Sequence, residues 1–128
     1  MAFMPYSYEG GQMPPFEYHK LGEGRDITVG LCMTVTDGKA APSVTPQYIC
    51  LREELGAAAD TLIPMMHIGG GAVFEAPLEK DSAELAPGSL ADVAADGLSI
   101  ASAGENRNVF IISMDGAAQG DLCRCRFV

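Results

Sequence analysis

The sequence has no tryptophan, two histidines, and only eight lysines and arginines against 17 aspartates and glutamates. Its formal charge is -9. A protein that grips nucleic acid neutralises phosphates with clustered Lys and Arg. This chain has neither the excess nor the cluster, which points away from DNA, RNA and anionic membranes and towards solubility or a basic protein surface. No run of apolar residues is long enough to cross a bilayer. The start, Met1-Ala2-Phe3-Met4-Pro5, carries neither a basic region nor an apolar signal core, so synthesis in the cytoplasm is expected. Four cysteines, at 32, 50, 123 and 125, include no Cys-x-x-Cys pair. In a reducing compartment they are expected to be free, buried thiols.

Catalytic and metal-binding signatures are also scarce. Structural zinc wants four convergent ligands, usually in closely spaced pairs. The soft ligands here are the four cysteines, His19 and His67, and only Cys123-x-Cys125 would place two on one strand face. No Gly-x-Ser-x-Gly elbow occurs, and neither histidine lies in a known motif. Gly69-Gly70-Gly71 lies between strand-like runs without a following Lys-Ser/Thr, so it fails the test for a phosphate loop. The carboxylates Glu53, Glu54, Glu75, Glu79, Asp81 and Glu84 read as a solvated acidic surface. The expectation is a non-enzymatic protein with no metal and no cofactor.

What is present is β-structure. Fifteen glycines and eight prolines punctuate short apolar runs in a chain of 128 residues, a length that fits one domain. Ile27, Val29, Leu31, Met33 and Val35 alternate with Thr28, Gly30, Cys32 and Thr34, as a half-buried strand requires. Asp37-Gly38 predicts a tight turn into a short return strand at Lys39–Ala41. Further strands are expected near 47–52, 61–68, 72–76, 90–94, 98–101, 109–114 and 121–127. Arg52–Asp60 reads as a loop, and Pro64 predicts an edge strand or a bulge. The inward set should include Val29, Leu31, Met33, Val73 or Phe74, Val93, Ile111 and Phe127. The fold class is thus all-β, a small antiparallel β-barrel or sandwich over residues 19–128.

Residues 1–18 differ. They hold five of the nine aromatics, three of the seven methionines, and Pro5, Pro14 and Pro15. No period of 2 or 3.6 is evident, so the segment reads as an extended N-terminal arm. Two placements are open: over the chain's own barrel as a plug, or against another molecule. Phe3, Tyr6, Tyr8 and Phe16 are the candidate partner-binding anchors, because aromatics dominate interface energetics.

The order of elements then matters as a whole. It runs from Phe16-Glu17-Tyr18 and Ile27-Thr28-Val29-Gly30 through Thr36-Asp37-Gly38-Lys39, Pro46-Gln47-Tyr48-Ile49-Cys50 and Val73-Phe74-Glu75-Ala76-Pro77-Leu78. It continues with Pro87-Gly88 and Ala95-Asp96-Gly97-Leu98 and closes on Arg124-Cys125-Arg126-Phe127. Over residues 16–128 this arrangement resembles the small head decoration, or capsid cement, proteins of tailed phages and prophages of Gram-positive bacteria, which are encoded beside the major capsid protein. The resemblance implies a small barrel, often a homotrimer, that attaches to the major capsid protein of an assembled shell and resides in the virion. The other reading is a small-molecule or carbohydrate-binding barrel of bacterial origin, for which a deep pocket lined by Tyr48 and His67 would speak.

Overall fold

The computed structural model describes residues 2–7, 16–69 and 71–128. Thirteen strands are formed: β1 (Met4–Ser7), β2 (Phe16–Leu21), β3 (Arg25–Ile27), β4 (Cys32–Thr36), β5 (Lys39–Pro42), β6 (Tyr48–Cys50), β7 (Glu54–Ala57), β8 (Leu62–His67), β9 (Val73–Pro77), β10 (Leu90–Val93), β11 (Ile100–Ser102), β12 (Val109–Met114) and β13 (Leu122–Phe127). No helix occurs among the described residues, and the all-β expectation holds.

The strands make two main bodies. β2, β5, β4, β6 and β8 close into a five-stranded barrel, antiparallel except where β2 runs parallel to β5. A six-stranded antiparallel sheet has the order β1-β9-β13-β12-β10-β11. The last strand in sequence, β13, lies inside this sheet, hydrogen-bonded to β9 on one side and β12 on the other. β3 and β7 form a separate ribbon.

Two apolar cores follow, and three barrel strands supply both. Met33, Cys50 and Met65 point into the barrel with Leu21, Leu31, Ala40 and Ile63. Their chain neighbours Cys32, Ile49 and Met66 point outwards into the second core, where they meet Phe74, Val93, Ile111, Cys123 and Cys125 from the sheet. Successive residues of a strand face opposite ways. A strand with a core on each side must therefore be apolar without alternation, as in Tyr48-Ile49-Cys50 and Met65-Met66.

Tight turns fall where the sequence places them. Asp37 and Gly38 both take positive φ, at 53° and 77°, and join β4 to β5. A positive φ at both central residues is the requirement of the type I′ two-residue hairpin turn. β10 and β11 pair around Asp96-Gly97, where the Asp96 carboxylate accepts the Leu98 N–H at 2.8 Å.

Several expectations are corrected. The single strand predicted from 27 to 36 is broken at Gly30, whose φ is +88°. Gly30 accepts the Phe3 N–H and donates to Cys50, and a Cβ there would stand 2.7 Å from both Ala2 Cβ and the Phe3 carbonyl oxygen. Val29 consequently lies half-exposed at the bend instead of in the core. The loop expected over 52–60 contains β7, paired with β3. Pro64 sits on neither an edge nor a bulge, since β8 pairs with both β2 and β6. It is tolerated because it lies opposite Leu51, one residue past the end of β6, so the missing N–H falls where that ladder stops. Of the predicted inward set, Leu31, Met33, Phe74, Val93 and Ile111 are buried. Phe127 is partly buried, packed between Phe3 and Phe74 with ring centroids 5.4 Å from each.

The arm is corrected as well. Residues 4–7 have a home in the chain's own sheet, as β1 against β9. The boundary drawn between residues 18 and 19 falls inside β2. Residues 8–15 lie outside the described residues.

Candidate functional site

The four proposed anchors have separate fates. Phe3 is fully buried, at 0% exposure, under β9 and β13, so it offers no face to a partner and serves the chain's own core. Tyr6 is 59% exposed on the edge strand β1, and the Arg124 guanidinium lies 6.0 Å from its ring centroid. Arg124 is itself held by Ser113, by Glu75 at 3.3 Å and by Asp115 at 2.7 Å. Tyr8 lies outside the described residues. Phe16 opens β2 and is 53% exposed.

β2 is the strand on which exposed apolar surface concentrates. It alternates Phe16, Tyr18 and Lys20 on the outside with Glu17, His19 and Leu21 towards the barrel interior. Tyr18 is 60% exposed, and Leu62, opposite Lys20 on β8, is 55% exposed. Pro64 lies opposite Tyr18, and Met66 lies opposite Phe16. The outer face of β2 and β8 therefore carries a strip of two aromatics, a proline and a leucine running outwards from the rim of the second core. Cross-strand neighbours in such a pair are close enough to form one continuous surface. Tyr18 and Leu62 were absent from the sequence-based anchor set. Tyr18 had a legible signal, the x-Phe-x-Tyr-x-Lys alternation, which was hidden by ending the arm at residue 18. Leu62 had none, because its neighbourhood depends on the pairing of β8 with β2.

The inner face of the same strand builds a polar cluster at the barrel mouth. Glu17 Oε1 accepts two hydrogen bonds, from His19 Nε2 and from the Tyr48 hydroxyl, each at 3.1 Å. The Tyr48 ring is flanked by both histidines of the chain: His19 at 5.2 Å between centroids, and His67 at 5.4 Å and 89°. His67 Nδ1 accepts the Gly69 N–H at 3.1 Å, which places that ring's proton on Nε2 when it is neutral. The bond from His19, and then that from Tyr48, hold the Glu17 carboxyl below its ordinary value. Burial, and then the bond to Glu17, push the Tyr48 phenol up. The mouth thus joins a carboxylate held below its ordinary value to three aromatic rings, with the Glu17 and His19 side chains in contact with solvent.

The four thiols are free and buried, as expected. Cys123 and Cys125 share the inner face of β13, while Arg124 and Arg126 share the outer one. Burial pushes Cys123 up to about 11 and Cys125 up to about 12. Such thiols are poor nucleophiles and poor metal ligands. A groove of about 490 Å³ beside β1 is lined by Ala2, Met4, Thr28, Val29, Glu53 and Leu98, not by Tyr48 or His67. No protein-family model, no curated protein and no solved structure matches the chain.

Proposed function

We propose that this chain is a structural virion protein, one that binds and stabilises an assembled phage capsid through the major capsid protein and performs no catalysis. The observation that carries the reading is the exposed strip of Phe16, Tyr18, Pro64 and Leu62 on the outer face of β2 and β8. A protein this acidic has ample charge with which to cover its surface, yet it leaves two aromatics and a leucine more than half exposed on one patch. Contiguous apolar patches of this kind mark interaction sites, and aromatics at their centre supply most of the binding energy. The element order that resembles the head decoration proteins supports the same partner, and with it a trimeric assembly and residence in the virion. Tyr6, on the sheet edge, is a second contact in this reading.

The test is co-sedimentation with assembled shells of the capsid protein encoded beside it. The double substitution Phe16→Ala with Tyr18→Ala is expected to abolish sedimentation with shells while leaving the thermal midpoint close to wild type, because both side chains face solvent. Unchanged binding by a folded double variant would exclude the strip as the docking surface. The second reading, a ligand-binding barrel, is favoured by one specific observation, the convergence of Glu17, His19, Tyr48 and His67 at the barrel mouth.

A further inference from the structure

We infer that the Asp37-Gly38 turn is a site of covalent self-modification, at which Asp37 isomerises to isoaspartate far faster than Asp96 or Asp115. The chain has three Asp-Gly pairs, at 37, 96 and 115, and no Asn-Gly pair. Aspartate before glycine is where this reaction meets least hindrance, because the following residue has no Cβ beside its backbone nitrogen. That nitrogen attacks the carboxyl carbon of the aspartic acid side chain. A C–N bond forms, a C–O bond breaks, and water leaves with the amide proton, giving a five-membered succinimide. Water then adds to the main-chain carbonyl of the ring and breaks its bond to the same nitrogen, which takes back a proton. The backbone now runs through the former side-chain carboxyl, longer by one methylene, and the α-carboxylate is free. Water is the one co-reactant, and the charge of the chain is unchanged.

All three pairs share this local chemistry, so the fold decides among them. Asp37 and Gly38 are both exposed, at the tip of the hairpin that joins β4 to β5. Among the described residues nothing bonds the Asp37 carboxylate and nothing accepts the Gly38 N–H, and a Cβ on Gly38 would meet no atom within 4 Å. The turn lies beyond the last ladder pair, Thr36 with Lys39, and none of these four residues belongs to either core. It can open to bring nitrogen and carboxyl together without breaking other contacts. Exposed tips of this kind sit at the low-stability end of a structure.

Asp96-Gly97 is held at the atoms the reaction needs. The Asp96 carboxylate accepts the Leu98 N–H at 2.8 Å and the Ser99 hydroxyl at 3.1 Å. The Gly97 N–H donates to Ala94, and the Gly97 carbonyl accepts the Cys32 N–H, each at 2.9 Å. Gly97 is buried, and a Cβ there would stand 3.1 Å from the Leu31 side chain. Opening this turn would pull it off β4.

Asp115-Gly116 is held differently. The Asp115 carboxylate accepts the Arg124 guanidinium at 2.7 Å, and this bond keeps its carboxyl below the ordinary value. The acid form, the one that loses water, is thereby depleted. A Cβ on Gly116 would collide with the Asp121 carboxylate, so this turn has little room to rearrange.

The consequence falls on the barrel. The hairpin turn has two central residues, both at positive φ, 53° and 77°. A backbone one methylene longer no longer fits it. β5 also pairs with β2, so isomerisation loosens the barrel's closure as the protein ages. This inference is independent of the capsid-binding reading.

The full chain is incubated at mildly acidic pH, native in one sample and unfolded in guanidinium chloride in the other. Proteolytic peptides are then separated, and isoaspartate is located by fragmentation across its Cα–Cβ bond. In the native protein Asp37 should convert about tenfold or more faster than Asp96 and Asp115, a ratio set by local opening. In the unfolded chain the three rates should converge. Native conversion at Asp96 or Asp115 as fast as at Asp37, or none at Asp37 while the unfolded chain converts, would overturn the site. Asp37→Glu should abolish the reaction at this position, because its longer side chain would have to close a six-membered ring. The isomerised wild-type fraction should melt at a lower temperature than fresh protein and exchange the β5 amides faster, and aged Asp37→Glu should match its own fresh sample in both. An isomerised fraction as stable as fresh protein would overturn the link to barrel closure.

Discussion

Phe3 and Gly30 illustrate how much one residue can decide in this chain. The Phe3 ring fills the second core beside Phe74 and Phe127, and its backbone N–H bonds to the Gly30 carbonyl at 3.2 Å. Truncating a fully buried phenylalanine removes its transfer energy and leaves a cavity, about 3–5 kcal/mol in all. Phe3→Ala is therefore expected to lower stability by that amount in a denaturant titration, a large fraction of a small domain's total. Gly30→Ala should act on the same contact from the other side. Its Cβ meets backbone atoms of Phe3 in a region of φ that side chains avoid, so nothing nearby can yield cheaply. The prediction is a marked loss of stability together with release of residues 2–7, read as rapid amide exchange in β1. If Gly30→Ala is as stable as wild type, the N-terminal segment is not docked as described. The cysteines give a second check at this scale. With thiols buried and Cys123 and Cys125 pushed up to about 11 and 12, a thiol reagent at neutral pH should find essentially none in the native protein and all four after denaturation.

At the scale of elements, the link from β11 to β12 is tied down by one carboxylate. Asp92, on β10, accepts the backbone N–H groups of Gly104, Asn106 and Arg107 at 3.0, 3.4 and 2.8 Å. Burial pushes its carboxyl up, but the three donors outweigh this and hold it below its ordinary value. A carboxyl depressed in the folded state adds stability that is fully present above its unfolded value, about 3.9, and is lost as pH falls through the lower folded value. Asp92→Asn should thus be less stable than wild type at neutral pH, with the difference shrinking below about pH 4 in acid-unfolding curves. A constant difference across that range would assign the loss to something other than the charge on Asp92.

Elements also mark where the sequence was legible. Strands with one wet face announced themselves: Leu122–Phe127 alternates cysteine and arginine, and Lys39–Pro42 follows a turn that only Asp-Gly chemistry explains. β2 alternates equally well, but its aromatics and nearby prolines gave it the look of an unstructured arm. β4 was read from its alternation, which put Met33 inward but did not show that Cys32 on the other face enters a second core, and in β6 and β8 the apolar neighbours Ile49-Cys50 and Met65-Met66 leave the facing unreadable from alternation. β7 and the bend at Gly30 owe their form to partners far along the chain, Ile27 and Arg25 for one and Phe3 for the other, and local pattern does not report these. The barrel-mouth site was half visible. Tyr48 and His67 were singled out, but Glu17 and His19 join them only through the closure of β2 on β8.

At the scale of the whole molecule, the shared wall of β4, β6 and β8 makes the barrel and the sheet one cooperative unit. Met65 faces one core and Met66 the other. Met65→Ala and Met66→Ala should each cost about 2–5 kcal/mol and shift the midpoint of a single transition. Calorimetric and van't Hoff enthalpies should agree in both variants, as two-state unfolding requires. Two resolved transitions would show that the halves melt separately.

The interior position of β13 has a consequence for how the protein is made. Within the six-stranded sheet β13 is the strand that joins β9 to β12, and β1, from the other end of the sequence, pairs with β9. Until β13 has been made, β9 with β1 and β12 with β10 and β11 lack the strand that pairs with both, and are tied directly by the Leu78–Ile100 bridge and the bond from the Glu79 N–H to the Ile100 carbonyl. The second core is therefore incomplete until Cys123 and Cys125 arrive with β13, and the net charge of -9 is a force that opposes association of chains in that interval.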